Sequence, residues 1–72
     1  MTYIGVLSTN IAAVGYERDT QTMAILFSNG GLYAYPDVPE DVYRGLITAH
    51  STGQYFATHI KEQFKHSDKR MV

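Results

Sequence analysis

Tyr33 and Tyr35 stand two apart in a short run, residues 31–35, that reads as a strand, so both rings leave the same face. Rings placed in this way can stack bases or riboses, at about 1–3 kcal/mol per base in single-strand binders. Tyr16, on an earlier strand, joins them as a candidate binding residue. A structural reading stands beside this one: tyrosines cover the core of a small sheet while their hydroxyls stay wet or hydrogen-bonded. Tyr43 and Tyr55, near helix starts, fit the structural reading better.

Charge adds a second candidate feature. Residues 59–72 carry Lys61, Lys65, Lys69 and Arg70 against Glu62 and Asp68, a local balance of +2. The first 58 residues hold Arg18 and Arg44 against five acids, a balance of −3. A basic C-terminal arm can meet phosphates. Lysines at a helix end also complement its macrodipole, so the arm has an ordinary explanation too.

Other chemistry finds little support. His59 and His66 share a helical face with Glu62 between them, but they lie two full turns apart, and His50 belongs to the preceding helix. Nucleophilic catalysis needs a serine or threonine activated by a nearby base, whereas Ser8 and Ser51 have structural tasks, in a turn and a helix cap. Nucleophile-elbow, paired-carboxylate and phosphate-loop motifs are absent, and Gly30-Gly31 belongs to a hairpin rather than a phosphate cradle. The sequence therefore reads as non-catalytic, without metal or cofactor.

These residues need elements to hold them. Residues 11–17 alternate Ala12, Val14 and Tyr16 against Ala13 and Gly15, and residues 22–28 place Met23, Ile25 and Phe27 on one face. Residues 18–21 form a turn, and Asn29-Gly30 signals a hairpin of type I′. The strand at 31–35 ends at Pro36, which cannot donate to a ladder. Residues 3–7 can supply a short extra N-terminal strand.

The period then changes. Pro39, Glu40 and Asp41 suit a helix start, followed by the stripe Val42, Leu46 and Ala49 with Tyr43 and Ile47 beside it. Ser51-Thr52-Gly53-Gln54 is a capping box that ends the first helix near His50 and opens a second. Phe56, Ile60 and Phe64 line the buried face of that second helix. The expected fold is α+β: a three-stranded antiparallel meander packed against two C-terminal helices. Residues 1–66 form the single domain and 67–72 a flexible tail.

Composition sets the outer limits. Seventy-two residues make one domain, which buries only about 60% of the surface its unfolded chain exposes, so self-association would help it. Apolar residues reach 44% and charged residues 18%, a globular balance. No run approaches the ~18 apolar residues needed to span a membrane. With no basic segment near Met1 and no cysteine, a cytoplasmic location is expected.

In order along the chain, these features resemble the KTSC domain. The resemblance runs from Val6, Ser8 and Ile11 through Val14-Gly15-Tyr16, Phe27, Gly30, Gly31 and Tyr33-x-Tyr35. It continues through Val38-Pro39, Val42-Tyr43, Leu46, Ala49, Ser51, Gly53, Tyr55-Phe56, His59-Ile60 and Phe64. The family takes its name from the C-terminus of some lysyl-tRNA synthetases and also occurs as free-standing bacterial and phage proteins, so the resemblance implies an RNA-binding module. Thr52, Gln54 and Ala57 depart from the family pattern where a basic residue and an asparagine are expected, and these changes remove positive charge from the start of the second helix.

Three functions follow as expectations. The first is RNA or other nucleic-acid binding, with Tyr33 and Tyr35 stacking bases and Lys61, Lys65, Lys69 and Arg70 meeting phosphates. The second is a protein-interaction or self-assembling homo-oligomeric module, suggested by Ala24 and Leu26 on the second sheet face. The third is a phage-type nucleotide-sequestering binder, with the tyrosines on a base and the helix start at Ser51 on a phosphate.

Overall fold

Successive side chains of Thr22–Phe27 leave opposite faces of the strand, and the register of its neighbours carries both faces across a whole sheet. The structure, a computed structural model, describes residues 2–61, 63 and 64. Its elements are β1 (Thr2–Gly5), β2 (Ile11–Glu17), β3 (Thr22–Phe27), β4 (Leu32–Tyr35), α1 (Glu40–Thr48) and α2 (Thr52–His59). The four strands form one antiparallel sheet in the order β1-β2-β3-β4. The α+β expectation holds. The optional N-terminal strand is a full member of the sheet, over Thr2–Gly5 rather than 3–7.

Two rows of paired residues make the inner face: Ile4, Val14, Ile25, Tyr33, and Thr2, Tyr16, Met23, Tyr35. The helices cover its β2, β3 and β4 part, where Val14, Met23 and Ile25 are 0% exposed together with Val38, Leu46 and Ile60, while Thr2 and Ile4 on β1 stay exposed. The outer face is smoother. One row there reads Tyr3, Gly15, Ala24, Ala34, and the next Gly5, Ala13, Leu26, Leu32.

A bulge corrects the alternation expected for β2. The β2–β3 register shifts between Ile11 and Ala13, so Ala12 is the extra residue. Ala12 is exposed, and Ile11, opposite Phe27, turns onto the core face instead.

The hairpin after β3 also differs from the type I′ expectation. Phe27 N donates to Gly31 O at 2.8 Å, and Gly30 N donates to Phe27 O at 2.9 Å, which closes a three-residue loop. Gly30 alone of the loop takes positive φ, at 95°, as the residue after a type I turn does.

Pro39 is the N-cap of α1, in extended conformation, and Glu40 and Asp41 lie in the first turn. Ser51 caps α2 as its sequence signature demands: its Oγ accepts from Gln54 N at 3.2 Å. The helix stops at His59. Ile60 and Phe64 still reach the core because Phe64 N closes a turn on Ile60 O at 2.9 Å. Between the helices, a Cβ on Gly45 would overlap the hydroxyl and ring of Tyr55. The glycine thus lets α1 and α2 meet across that ring. Among the described residues no helix is long and apolar enough to cross a membrane.

Candidate functional site

The helices occupy the face that base stacking on the sheet would need. Tyr35 is 3% exposed, with its ring edge-on to Phe56 at 5.8 Å. Tyr33 is half-buried and meets Phe27 edge-on at 5.4 Å, while Phe27 in turn meets Phe56 at 5.6 Å. The two tyrosines do leave one face, but it is the core face. Burial pushes the Tyr35 phenol above its ordinary pKa, and the neighbouring Tyr33 adds to the rise.

Tyr16 serves the fold as well. Its ring stacks on Tyr43 at 4.7 Å with planes 12° apart, and its hydroxyl donates to Val38 O at 2.6 Å. Burial is the main cause of its raised pKa; the Glu40 carboxylate adds to the rise and Arg18 opposes it. Glu40 accepts from both Arg18, at 3.0 Å, and Arg44, at 3.2 Å. Lys61 is therefore the Lys or Arg side chain outside this cluster among the described residues. Lys65, Lys69 and Arg70 lie outside those residues, as does the expected tail at 67–72.

Lys61 stands at the rim of a cleft of about 590 Å³ at the loop end of the sheet. That volume is within the usual ligand range of about 300–1,000 Å³. Asn10 and Ile11 at the start of β2, Phe27, Ser28 and Asn29 at the β3 hairpin, and Gly53, Phe56 and Ala57 on α2 complete its lining. The apolar wall is the Phe27–Phe56 ring pair, which continues directly into the core.

Local bonds place the polar rim. Ser8 Oγ accepts from Asn10 N and Ile11 N, each at 3.4 Å, which turns the chain into β2. Asn10 O accepts from Ser28 N at 2.7 Å, tying the two loops together. Asn29 Oδ1 accepts from Gly31 N at 2.9 Å, so the donor end of that amide is the one left for a ligand. A Cβ on Gly53 would stand 3.4 Å from Ser8 Oγ, so the first turn of α2 packs directly against the Ser8 turn.

A smaller hollow, about 300 Å³, lies on the other side of α2, lined by His50, Ser51, Tyr55 and His59 among others. Tyr55 and His59 pack ring against ring at 4.3 Å. Of the His59/Glu62/His66 grouping weighed and set aside in the sequence, Glu62 and His66 lie outside the described residues. Of the candidate binding residues named from the sequence, Lys61 alone among the described ones lines the larger cleft. Its other members come from separate segments, and the signals that flank it are the turn residues Ser8, Asn29 and Gly30 and the glycine of the capping box.

Comparisons with known proteins agree with this architecture. The KTSC domain pattern matches residues 7–64. A lysine–tRNA ligase of Nostoc sp. is 46% identical over 56 residues, covering 78% of the chain but 10% of the ligase. The chain thus spans about a tenth of the length of that relative. An uncharacterized protein of Stutzerimonas stutzeri is 33% identical over 63 residues, covering 88% of the chain and 89% of that protein. The crystal structure of a KTSC domain protein from Yersinia pestis superposes with a TM-score of 0.91 at 30% identity, over 96% of this chain and 97% of that one. With its pattern matched from the loop before β2 to the turn after α2 and its fold shared over 96% of its length, the chain belongs to the KTSC domain family.

Proposed function

We propose that the domain is a non-catalytic binding module that holds a short single-stranded RNA segment in the cleft at the loop end of its sheet. The observation that carries this reading is the make-up of the cleft, where an aromatic wall, two carboxamides and one cation surround a single space. A base or ribose lies against Phe27 and Phe56. Asn10 and Asn29 supply amide hydrogen bonds to base edges, and Lys61 contacts phosphate. The lysines and arginine that follow Lys61 in sequence extend the electrostatic contact along the RNA backbone. The occurrence of a similar segment within lysine–tRNA ligases supports RNA over other ligands.

This assignment moves the stacking role from Tyr33 and Tyr35 to the phenylalanines at the cleft. It also limits the expected strength. A net charge of −1 gives no global attraction to a polyanion, so affinity depends on local contacts and on low salt. The test is fluorescence anisotropy with labelled single-stranded RNA and tRNA at about 50 and 200 mM salt. Lys61→Gln should weaken binding evenly across sequences and lower the salt slope by about 1. Flat titrations of the wild-type protein at low salt would overturn the proposal.

A further inference from the structure

The two edges of the sheet are protected unequally. Val6 N donates to Ala12 O at 3.2 Å and extends the β1–β2 ladder. Groups alternate in direction along a strand, so Thr2, Ile4 and Val6 bond inward to β2, while the backbones of Tyr3 and Gly5 point out to solvent. At the far edge, the Phe27–Gly31 bond fixes the same alternation on β4 and turns Leu32 and Ala34 outward. The next outward position there is Pro36, which has no N–H and blunts that edge. β1 carries no charge, no proline and no bulge, and all four of its residues are exposed. Its large side chains are open as well: Tyr3 is 37% exposed and Ile4 41%, and Leu7 just beyond is fully exposed.

We propose that β1 is a homotypic docking edge, pairing antiparallel with β1 of a second copy about a two-fold axis through Ile4. A two-fold perpendicular to the sheet reverses the strand and keeps its faces, so any strand is self-complementary in this arrangement. The outward backbones of Tyr3 and Gly5 select the register. Centred on Ile4, Tyr3 exchanges N–H···O bonds with Gly5 of the partner subunit, and Gly5 does so with Tyr3 of the partner subunit. Each Tyr3 ring then covers the opposing glycine on the outer face, a pairing that offsets the weakness of glycine in a strand. The two Ile4 side chains meet on the inner face as a close non-hydrogen-bonded pair.

The absence of charge in residues 2–7 means that no like charges are brought together, which is the usual defence of an edge against its own copy. The product is a continuous sheet with the helices of both copies on one side. On the other side, the smooth Gly15–Ala24–Ala34 rows extend across the junction. Two four-residue edges bury less than the ~1,000 Å² of a stable interface, so the association is weak and concentration-dependent.

Sedimentation velocity on the full chain, from about 10 μM to about 1 mM, reads the dissociation constant directly. Wild-type protein is expected to pass from monomer to dimer within this range. Ile4→Lys sets like charges face to face at the axis and should weaken dimerisation at least about 10-fold while the circular dichroism stays that of the wild type. Ile4→Cys, in a chain with no other cysteine, should oxidise readily to a disulfide-linked dimer, and Thr2→Cys should not. A wild-type protein that stays monomeric at the top concentration would overturn the proposal. So would an Ile4→Lys variant that dimerises as tightly as wild type, which would move the contact to the Ala24 face.

Discussion

The hydroxyl of Tyr16 donates to the carbonyl of Val38 at 2.6 Å, joining residues 22 apart in sequence. Val38 N in turn donates to Gln21 O at 2.8 Å, so the segment before α1 is held at both ends by the β2–β3 hairpin. Val38 is 0% exposed, and its peptide group has no water to turn to. This double tether sets where α1 begins. It also carries the Tyr16–Tyr43 stack that closes the end of the molecule opposite the cleft.

Tyr16→Phe keeps the stack and removes the donor. The Val38 carbonyl is then left without its side-chain partner in a dry place, a loss of about 1–3 kcal/mol. Urea unfolding should show a lower midpoint with an unchanged slope. A midpoint equal to wild type would mean that the hydroxyl contributes nothing to the tether.

Alkaline stability follows from the same tyrosines. Burial raises the pKa of both Tyr16 and Tyr35 above the ordinary phenol value of 10.0. Once pH passes about 10, the unfolded chain releases phenolic protons that the folded state still holds. Stability is therefore fully present below that pH and falls as pH rises through the folded values. Urea midpoints measured from about pH 8 to about pH 11 should stay level and then drop. Tyr35→Phe should make the drop shallower. Equal slopes in the two proteins would contradict the role assigned to Tyr35.

Gly45→Ala tests the contact between the helices. In an open helix this change gains about 1 kcal/mol. Here the new methyl meets the Tyr55 ring, and overpacking of this kind costs about 1–3 kcal/mol. The variant should melt below wild type, and Gly45→Ala combined with Tyr55→Leu should recover part of the loss. A variant more stable than wild type would show that the ring can swing clear.

What the sequence makes legible is what depends on near neighbours. The shared face of Met23, Ile25 and Phe27 and the Ser51 cap are each set by residues a few positions apart, and both appear as expected. Tyr33 and Tyr35 are legible as a same-face pair, but which face the helices cover is decided by docking of Leu46, Phe56 and Ile60 across the chain. β1 is harder to read because every residue is exposed, so no burial rhythm marks it. Ala12 reads as part of an alternation until the partner strand exposes the bulge. The cleft escapes for a related reason: Asn10, Asn29, Gly53 and Lys61 share no local pattern, and only the fold brings them together.

Ala57 separates the cleft from the rest of the surface. It is exposed on α2 and lines the space beside Phe56 and Lys61, so a longer side chain there projects from an already open helix face. Glutamate is a good helix former, and Ala57→Glu should change stability by no more than about 0.5 kcal/mol. For RNA the same change places a carboxylate where phosphate approaches and offsets the charge of Lys61. Binding at about 50 mM salt should fall by about 10-fold or more, with melting temperature and circular dichroism unchanged. Ala57→Lys should shift affinity in the opposite direction. If RNA binds all three proteins alike, the RNA surface lies elsewhere on the molecule and the cleft takes no part in it.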